Sequence, residues 1–257
     1  MKVFFKNNIS NLNEKIILQK QNVIKNEIGI FETMFAHKNK IFRLKEHLKR
    51  FFNSANYFHF NLEYSKNKIC KIIENISSEN DFENSKMRII LSQNFFLVEC
   101  EKFKKTYANI VKIQFQQNSF CENSLRKHKM ISYLNLKNTF RTIKSIEKII
   151  YDDKNHILEG EFTNIFLVEK NKIVTPKTSC GILNGITKSV VKEICFENKI
   201  QFEEKIIHLN EIKNFQNIFL TNSLNGIIPI KKTCDIVEFL KKCYQKKLEK
   251  EIFCHTF

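Results

Sequence analysis

Only five glycines and two prolines punctuate the 257 residues, and they fall in four short segments. Gly29 stands in E-I-G-I-F-E-T and Gly160 in L-E-G-E-F-T-N. Pro176, Gly181 and Gly185 share T-P-K-T-S-C-G-I-L-N-G-I-T, and Gly226 and Pro229 share N-S-L-N-G-I-I-P-I. Glycine is kept where φ is positive or where backbone must approach another group closely. Plain turn chemistry accounts for any one of these positions, but together they mark where special backbone geometry is expected. The third segment runs straight into an expected helix. There the N–H groups of Ile186 and Thr187, with the Thr187 hydroxyl, suit a phosphate at a helix N-terminus. No G-x-G-x-x-G, P-loop, H-E-x-x-H or G-x-S-x-G occurs, so the usual support for nucleotide, zinc-hydrolase and serine-hydrolase chemistry is missing.

Composition narrows the field further. A chain with 42% hydrophobic and 27% charged residues is an ordinary globular one, long enough for one large or two modest domains. The apolar runs, such as Ile89 to Leu91 and Ile227 to Ile230, are too short to cross a bilayer. The N-terminal M-K-V-F-F-K reads as a first strand rather than a signal peptide, so a cytoplasmic, non-membrane protein is expected. Eight cysteines lie scattered without a C-x-x-C pair, which predicts reduced thiols and no metal site. The net charge of +16 is carried almost wholly by lysine. The arginines are Arg43, Arg50, Arg88, Arg126 and Arg141 alone. Lysines spread along the whole chain, without clustering or aromatic interleaving, describe a generic basic surface rather than a specific nucleic-acid site.

Periodicity supplies the elements that must position any site. Strands are expected at Lys2 to Lys6, Ile28 to Ala36 and, after a turn at Lys38-Asn39, Lys40 to Arg43. Leu44, Leu48, Phe51, Phe52, Ala55 and Phe58 recur at helical spacing, and a second helix is expected over Ser65 to Ser77. Strands follow at Met87 to Ser92, Phe95 to Glu101 and Asn109 to Phe115. Tyr133 to Ile150 reads as helix, Ile157 to Thr175 as a hairpin turning at Glu169 to Asn171, and Thr187 to Asn198 as helix. Short strands flank Asn222, and Ile236 to Ile252 forms a closing helix. The expected organisation is a two-domain α/β (α+β) protein: residues 1–115, a Gln/Asn/Ser-rich linker at 116–127, and residues 128–257.

Five blocks in order now resemble the class IV (fold type IV) aminotransferases, pyridoxal 5'-phosphate (PLP) enzymes. They are G-I-F-E-T at 29–33 with F-R-L-K-E-H-L-K-R-F-F-N-S-A at 42–55, H-K-M-I-S-Y-L at 128–134, L-E-G-E-F-T-N-I-F at 158–166, the 175–187 segment, and L-T-N-S-L-N-G-I-I-P-I at 220–230. The likeness covers about residues 25–230, and the last block is most similar to that of the 4-amino-4-deoxychorismate lyases. The resemblance implies a smaller N-terminal α/β domain and a larger C-terminal mixed-strand domain that binds PLP. It implies that Lys129 is the Schiff-base lysine, that Glu159 faces the pyridine nitrogen, and that Arg50 binds the phosphate, for which its fork is suited. It implies that Ile186, Thr187 and Ser223 complete the phosphate cup, that Tyr133 meets the cofactor phenolate oxygen, and that the Leu224 and Asn225 N–H groups take a substrate carboxylate. Thr33 matches a threonine near the substrate in lyases of this type, placed for proton relay or positioning.

Two departures stand out: Lys188 occupies a position where the cup segment commonly has Arg, and Ser92-Gln93-Asn94-Phe95 replaces an Arg/Gly-rich stretch. The expected reaction converts 4-amino-4-deoxychorismate to 4-aminobenzoate and pyruvate, a step in folate biosynthesis. Its rival is a branched-chain or D-amino-acid aminotransferase with the same cofactor machinery, and a distant third is a basic non-enzymatic binding protein. The resemblance also implies a homodimer acting on a small-molecule substrate.

Overall fold

The computed structural model describes residues 1–104, 112–117, 123–132, 146–230 and 233–253. Contacts divide the chain into two compact units, Met1–Lys104 with His128–Arg141, and Lys105–Lys127 with Thr142–Phe257.

The first unit is built on a six-stranded sheet made of β1 (Lys2–Phe5), β2 (Asn8–Asn11), β3 (Gly29–His37), β4 (Lys40–Ile41), β5 (Asn84–Ser92) and β6 (Phe95–Lys102). Their order is β2-β1-β6-β5-β3-β4. Lys38 and Asn39 both take positive φ, 42° and 66°, which makes the tight β3–β4 hairpin expected there. Helices α1 (Glu14–Asn26), α2 (Leu44–Tyr57) and α3 (Lys66–Asn80) cover this sheet. Successive residues of a strand face opposite ways, and β3 exploits this. Ile30, Met34 and Ala36 pack with Leu48, Phe51 and Ala55 of α2 and the isoleucines of α3. Phe31 joins Ile16 and Val23 of α1, together with Ile131. Helix α1 is additional to the elements expected from periodicity; Asn13 caps it by accepting the Ile16 N–H at 3.0 Å.

The second unit carries a five-stranded sheet, β12-β11-β10-β13-β14, and a three-stranded one, β7-β8-β9. The strands are β7 (Lys112–Gln117), β8 (Ile146–Tyr151), β9 (Ile157–Gly160), β10 (Asn164–Glu169), β11 (Lys172–Pro176), β12 (Gln201–Lys205), β13 (Asn217–Asn222) and β14 (Gly226–Pro229). Ile149 and Ile157 of the small sheet share a core with Ile165, Leu167, Val174 and Leu220 of the larger one. The short helix α4 (Asn123–Arg126) lies in the first stretch of this unit, and α5 (Ile186–Glu197) and α6 (Asp235–Phe253) pack on each other.

One element overturns the expectation. The helix expected over 133–150 lies outside the described residues up to 145, and from Ile146 to Tyr151 the chain is a strand. Its buried positions alternate, with Glu147 and Ile149 inside. Because one inward residue is a carboxylate, the apolar pattern I-E-K-I-I loses its period of two. No helix among the described residues is long and apolar enough to cross a membrane. Cys195, a free thiol among the described residues, is raised to about 12 by burial, so it stays protonated.

Candidate active site

In the first unit the segment around Lys129 is strapped onto the edge of β3. Phe31 N–H donates to the Lys129 carbonyl at 2.8 Å, Ile131 N–H donates to the Gly29 carbonyl at 2.8 Å, and Ile30 and Met130 form an antiparallel bridge. Such close backbone approach requires glycine at 29. A Cβ there would sit 2.6 Å from the Leu91 carbonyl oxygen and 2.2 Å from Ile131 Cδ1. Lys129 is half-buried, with its Nζ 4.6 Å from the centre of the Phe31 ring. Thr33, two residues further along β3, presents the same face as Phe31 and pairs in register with Arg88.

The opposite face of β3 carries Glu32, which is 1% exposed. It accepts from Arg50 Nε at 2.7 Å and Arg50 Nη2 at 2.8 Å, and its Oε2 lies 2.7 Å from His47 Nδ1. Burial alone would raise the Glu32 pKa. The Arg50 guanidinium, helped by the His47 hydrogen bond, outweighs burial and holds the carboxyl well below the usual range. His47 is pushed down, first by burial and then by Arg50 and Lys129 against the pull of Glu32. At neutral pH the pair is therefore a carboxylate and a neutral imidazole whose Nδ1–H donates. His47, Arg50, Ser54 and Tyr57 recur along one stripe of α2. The last two hold the residue next to Lys129. Ser54 Oγ is hydrogen-bonded to His128 Nδ1 at 2.9 Å, and the Tyr57 ring stacks on His128 at 4.2 Å.

In the second unit Glu159 sits near the end of β9 with both oxygens engaged. Leu183 N–H donates to Oε2 at 3.1 Å, and Arg126 Nη2 lies 3.6 Å from Oε1. The turn beyond it is tied down by Glu147, whose Oε1 accepts Phe162 N–H and Thr163 Oγ1, each at 2.9 Å. Asn164 Nδ2 donates to the Leu183 carbonyl at 3.0 Å, which connects the Glu159 turn to the loop leading into α5. That helix starts at Ile186 with Gly185 as its N-cap and no side-chain cap. Its first-turn N–H groups thus lack an intrahelical acceptor and suit an anion. Lys188, the departure noted above, is buried and donates to the Pro176 carbonyl at 2.8 Å and to Glu204 at 3.3 Å. It secures the first turn of α5 to the end of β11.

Ser223, Leu224 and Asn225 form the β13–β14 turn. The Leu224 and Asn225 N–H groups donate to Asn222 Oδ1 at 3.1 and 2.9 Å. Tyr133 lies outside the described residues. The sequence-expected residues thus fall into two sets, Thr33, Arg50 and Lys129 in one unit, and Glu159, Ile186, Thr187 and Ser223 to Asn225 in the other. Sequence reasoning singles out no role for Glu32, His47, Arg126, Glu147 or Asn164. Glu32, His47 and Asn164 lie inside the recognised blocks, and that is the signal which could have found them. Arg126 and Glu147 carry none.

The family model described as amino-transferase class IV matches residues 29–233. The chain belongs to the class IV aminotransferase family. A Thermotoga maritima protein named as a candidate branched-chain-amino-acid aminotransferase is 24% identical over 214 residues, covering 79% of this chain and 77% of the relative. Among solved structures, a candidate 4-amino-4-deoxychorismate lyase of Legionella pneumophila superposes with a TM-score of 0.78 at 21% identity, covering 88% of this chain and 93% of that one. A T.th. branched-chain amino acid aminotransferase, solved with N-(5'-phosphopyridoxyl)-L-glutamate, gives 0.79 at 18% identity over 98% and 94% of the two chains. The protein is therefore an enzyme of this family, and PLP is its cofactor. The residues present fit that group. In the second unit the helix starting at Ile186 has no side-chain cap, which leaves its first-turn N–H groups for an anion, and Arg126 Nε and Nη1, on the side chain beside Glu159, are buried with no hydrogen-bond partner.

Proposed function

We propose that this enzyme is a lyase that converts 4-amino-4-deoxychorismate to 4-aminobenzoate and pyruvate. In this reading Lys129 carries the cofactor and Arg50, Ile186, Thr187 and Ser223 hold its phosphate. Glu159 accepts a hydrogen bond from the ring nitrogen, and Tyr133 meets the phenolate oxygen. When bound, the cofactor supplies an electron sink for the carbanion formed at the substrate Cα. Freed when the substrate amine takes its place, the Lys129 amine would take the Cα proton and later return one to the methylene of the side chain as the bond joining that side chain to the ring breaks, which leaves the ring aromatic. Thr33 positions that proton return. A substrate carboxylate would take the Leu224 and Asn225 N–H groups in place of Asn222 Oδ1. The enzyme acts as a cytoplasmic homodimer.

The observation that carries the lyase reading is the hydroxyl of Thr33 on the face of β3 that also holds Phe31, over whose ring the Lys129 amine lies. A second reading, a branched-chain or D-amino-acid aminotransferase, is favoured by the names of relatives such as the Thermotoga maritima protein. The two differ in where the proton goes, to the substrate side chain or to the cofactor. Purified enzyme is incubated with an aminodeoxychorismate-forming system, and separately with 2-oxoglutarate and amino donors. Release of 4-aminobenzoate and pyruvate is expected; transamination without 4-aminobenzoate rejects the lyase. A borohydride-trapped label on a lysine other than Lys129 rejects both.

A further inference from the structure

We propose that Glu32 and His47 are positioning residues for cofactor binding, which grip Arg50 by its Nε–Nη2 edge and thereby aim the Nη1–Nη2 edge at the phosphate. This rests on the reading that Arg50 is a phosphate ligand.

A guanidinium has two edges, each able to meet an oxyanion with two parallel N–H bonds. In this structure the Nε–Nη2 edge faces Glu32, at 2.7 and 2.8 Å. A phosphate must therefore be met by the other edge, whose direction is set once Glu32 is fixed. Glu32 is fixed on three sides. Its backbone lies within β3, paired with Ile89 of β5. Its face of the strand is shared with Ile30 and Met34, which pack against Leu48 and Phe51 of α2. Its Oε2 also takes the His47 Nδ1–H at 2.7 Å. His47 and Arg50 are one helical turn apart on α2, so one carboxylate secures both to β3.

Stability alone does not account for this arrangement. Well-packed apolar side chains serve a core as well as or better than a buried ion pair, because removing charges from water is costly. The charge count argues the same way. Glu32 cancels Arg50, and His47 is neutral, so the triad brings no net positive charge toward a dianion. Arg50 acts as an aimed donor pair, and the gain lies in side-chain freedom already lost before the cofactor arrives.

This yields an opposite sign from simple electrostatics. Removing the Glu32 charge exposes a positive Arg50 and should tighten phosphate binding if charge were the determinant. If aim is the determinant, binding weakens. The test titrates the full chain, stripped of cofactor, with PLP and with pyridoxal, which lacks the phosphate. Wild type, Glu32→Gln, Glu32→Asp, His47→Gln and Arg50→Gln are compared, with circular dichroism confirming the fold. Glu32→Gln is expected to weaken PLP about tenfold or more and to leave pyridoxal unchanged, with partial recovery in Glu32→Asp and a few-fold loss in His47→Gln. A folded Glu32→Gln that binds PLP as tightly as wild type overturns the inference. Should that variant not fold, an unchanged PLP affinity in His47→Gln overturns it instead. An Arg50→Gln with an unaltered preference for PLP over pyridoxal sinks the reading of Arg50 itself, which is a separate failure.

Discussion

Replacing Glu147 by alanine tests whether the turn behind Glu159 is held by one buried carboxylate. Glu147 is 6% exposed, and its Oε1 accepts two bonds of 2.9 Å, from Phe162 N–H and from the Thr163 hydroxyl. Hydrogen bonds to a charged acceptor contribute about 1.5–3 kcal/mol each, and part of that is offset once the carboxylate no longer has to be desolvated. A net loss of about 2–4 kcal/mol is expected for Glu147→Ala, the two orphaned donors being the larger share. At about 2–4 °C per kcal/mol for a chain of this size, Tm falls by roughly 5–15 °C. Glu147→Gln keeps an oxygen able to accept both bonds but loses the charge, so about 1 kcal/mol is expected. Thermal unfolding followed by circular dichroism, with urea melts for the free energies, reads these values. Thr163→Val made in each background should couple with Glu147→Ala by about 1 kcal/mol, since the two side chains share one bond. An alanine variant within about 0.5 kcal/mol of wild type, or strict additivity with Thr163→Val, refutes the argument.

Three further outcomes follow from the same structure. Glu159→Gln leaves Arg126, 3% exposed, beside an uncharged side chain and should destabilise the cofactor-free enzyme by about 3 kcal/mol. Adding Arg126→Met should recover part of this in urea melts, and an unchanged single variant would contradict it. Gly29→Ala, whose Cβ would lie 2.6 Å from the Leu91 carbonyl, should part the 128–131 segment from β3. The readout is loss of borohydride-trapped cofactor at Lys129 in a chain that still folds. Because the Glu32 carboxyl is held far below the unfolded value of about 4.3, its stabilisation is complete above about pH 5 and is lost as pH falls toward the folded value. His47, also lowered, acts in the same direction from about pH 6.5 downward, since the unfolded chain takes up the proton first. Urea midpoints against pH should thus fall more steeply for wild type than for Glu32→Gln, and parallel curves would exclude the coupling.

Much of the molecule is legible in local pattern. The apolar spacing of α2, the Lys38-Asn39 turn, the β10–β11 hairpin and the helix opening after Gly185 are each determined by side chains within a few residues of one another. The ordered blocks along the chain likewise determined the family and its cofactor. What only the tertiary structure decided was the fate of the buried charges. Glu32 meets Arg50 across 18 positions, Glu147 meets Phe162 across 15, and Arg126 reaches Glu159 from a stretch that reads as a linker. Hydrophobic periodicity registers burial only through apolar side chains, so a carboxylate turned inward looks like one turned outward. For this reason β8, with Glu147 on its inner face, reads as helix in the sequence and is a strand in the fold. An ionised group becomes tolerable inside a protein when a distant partner is folded against it, and that partner is a property of the fold rather than of any local stretch of chain.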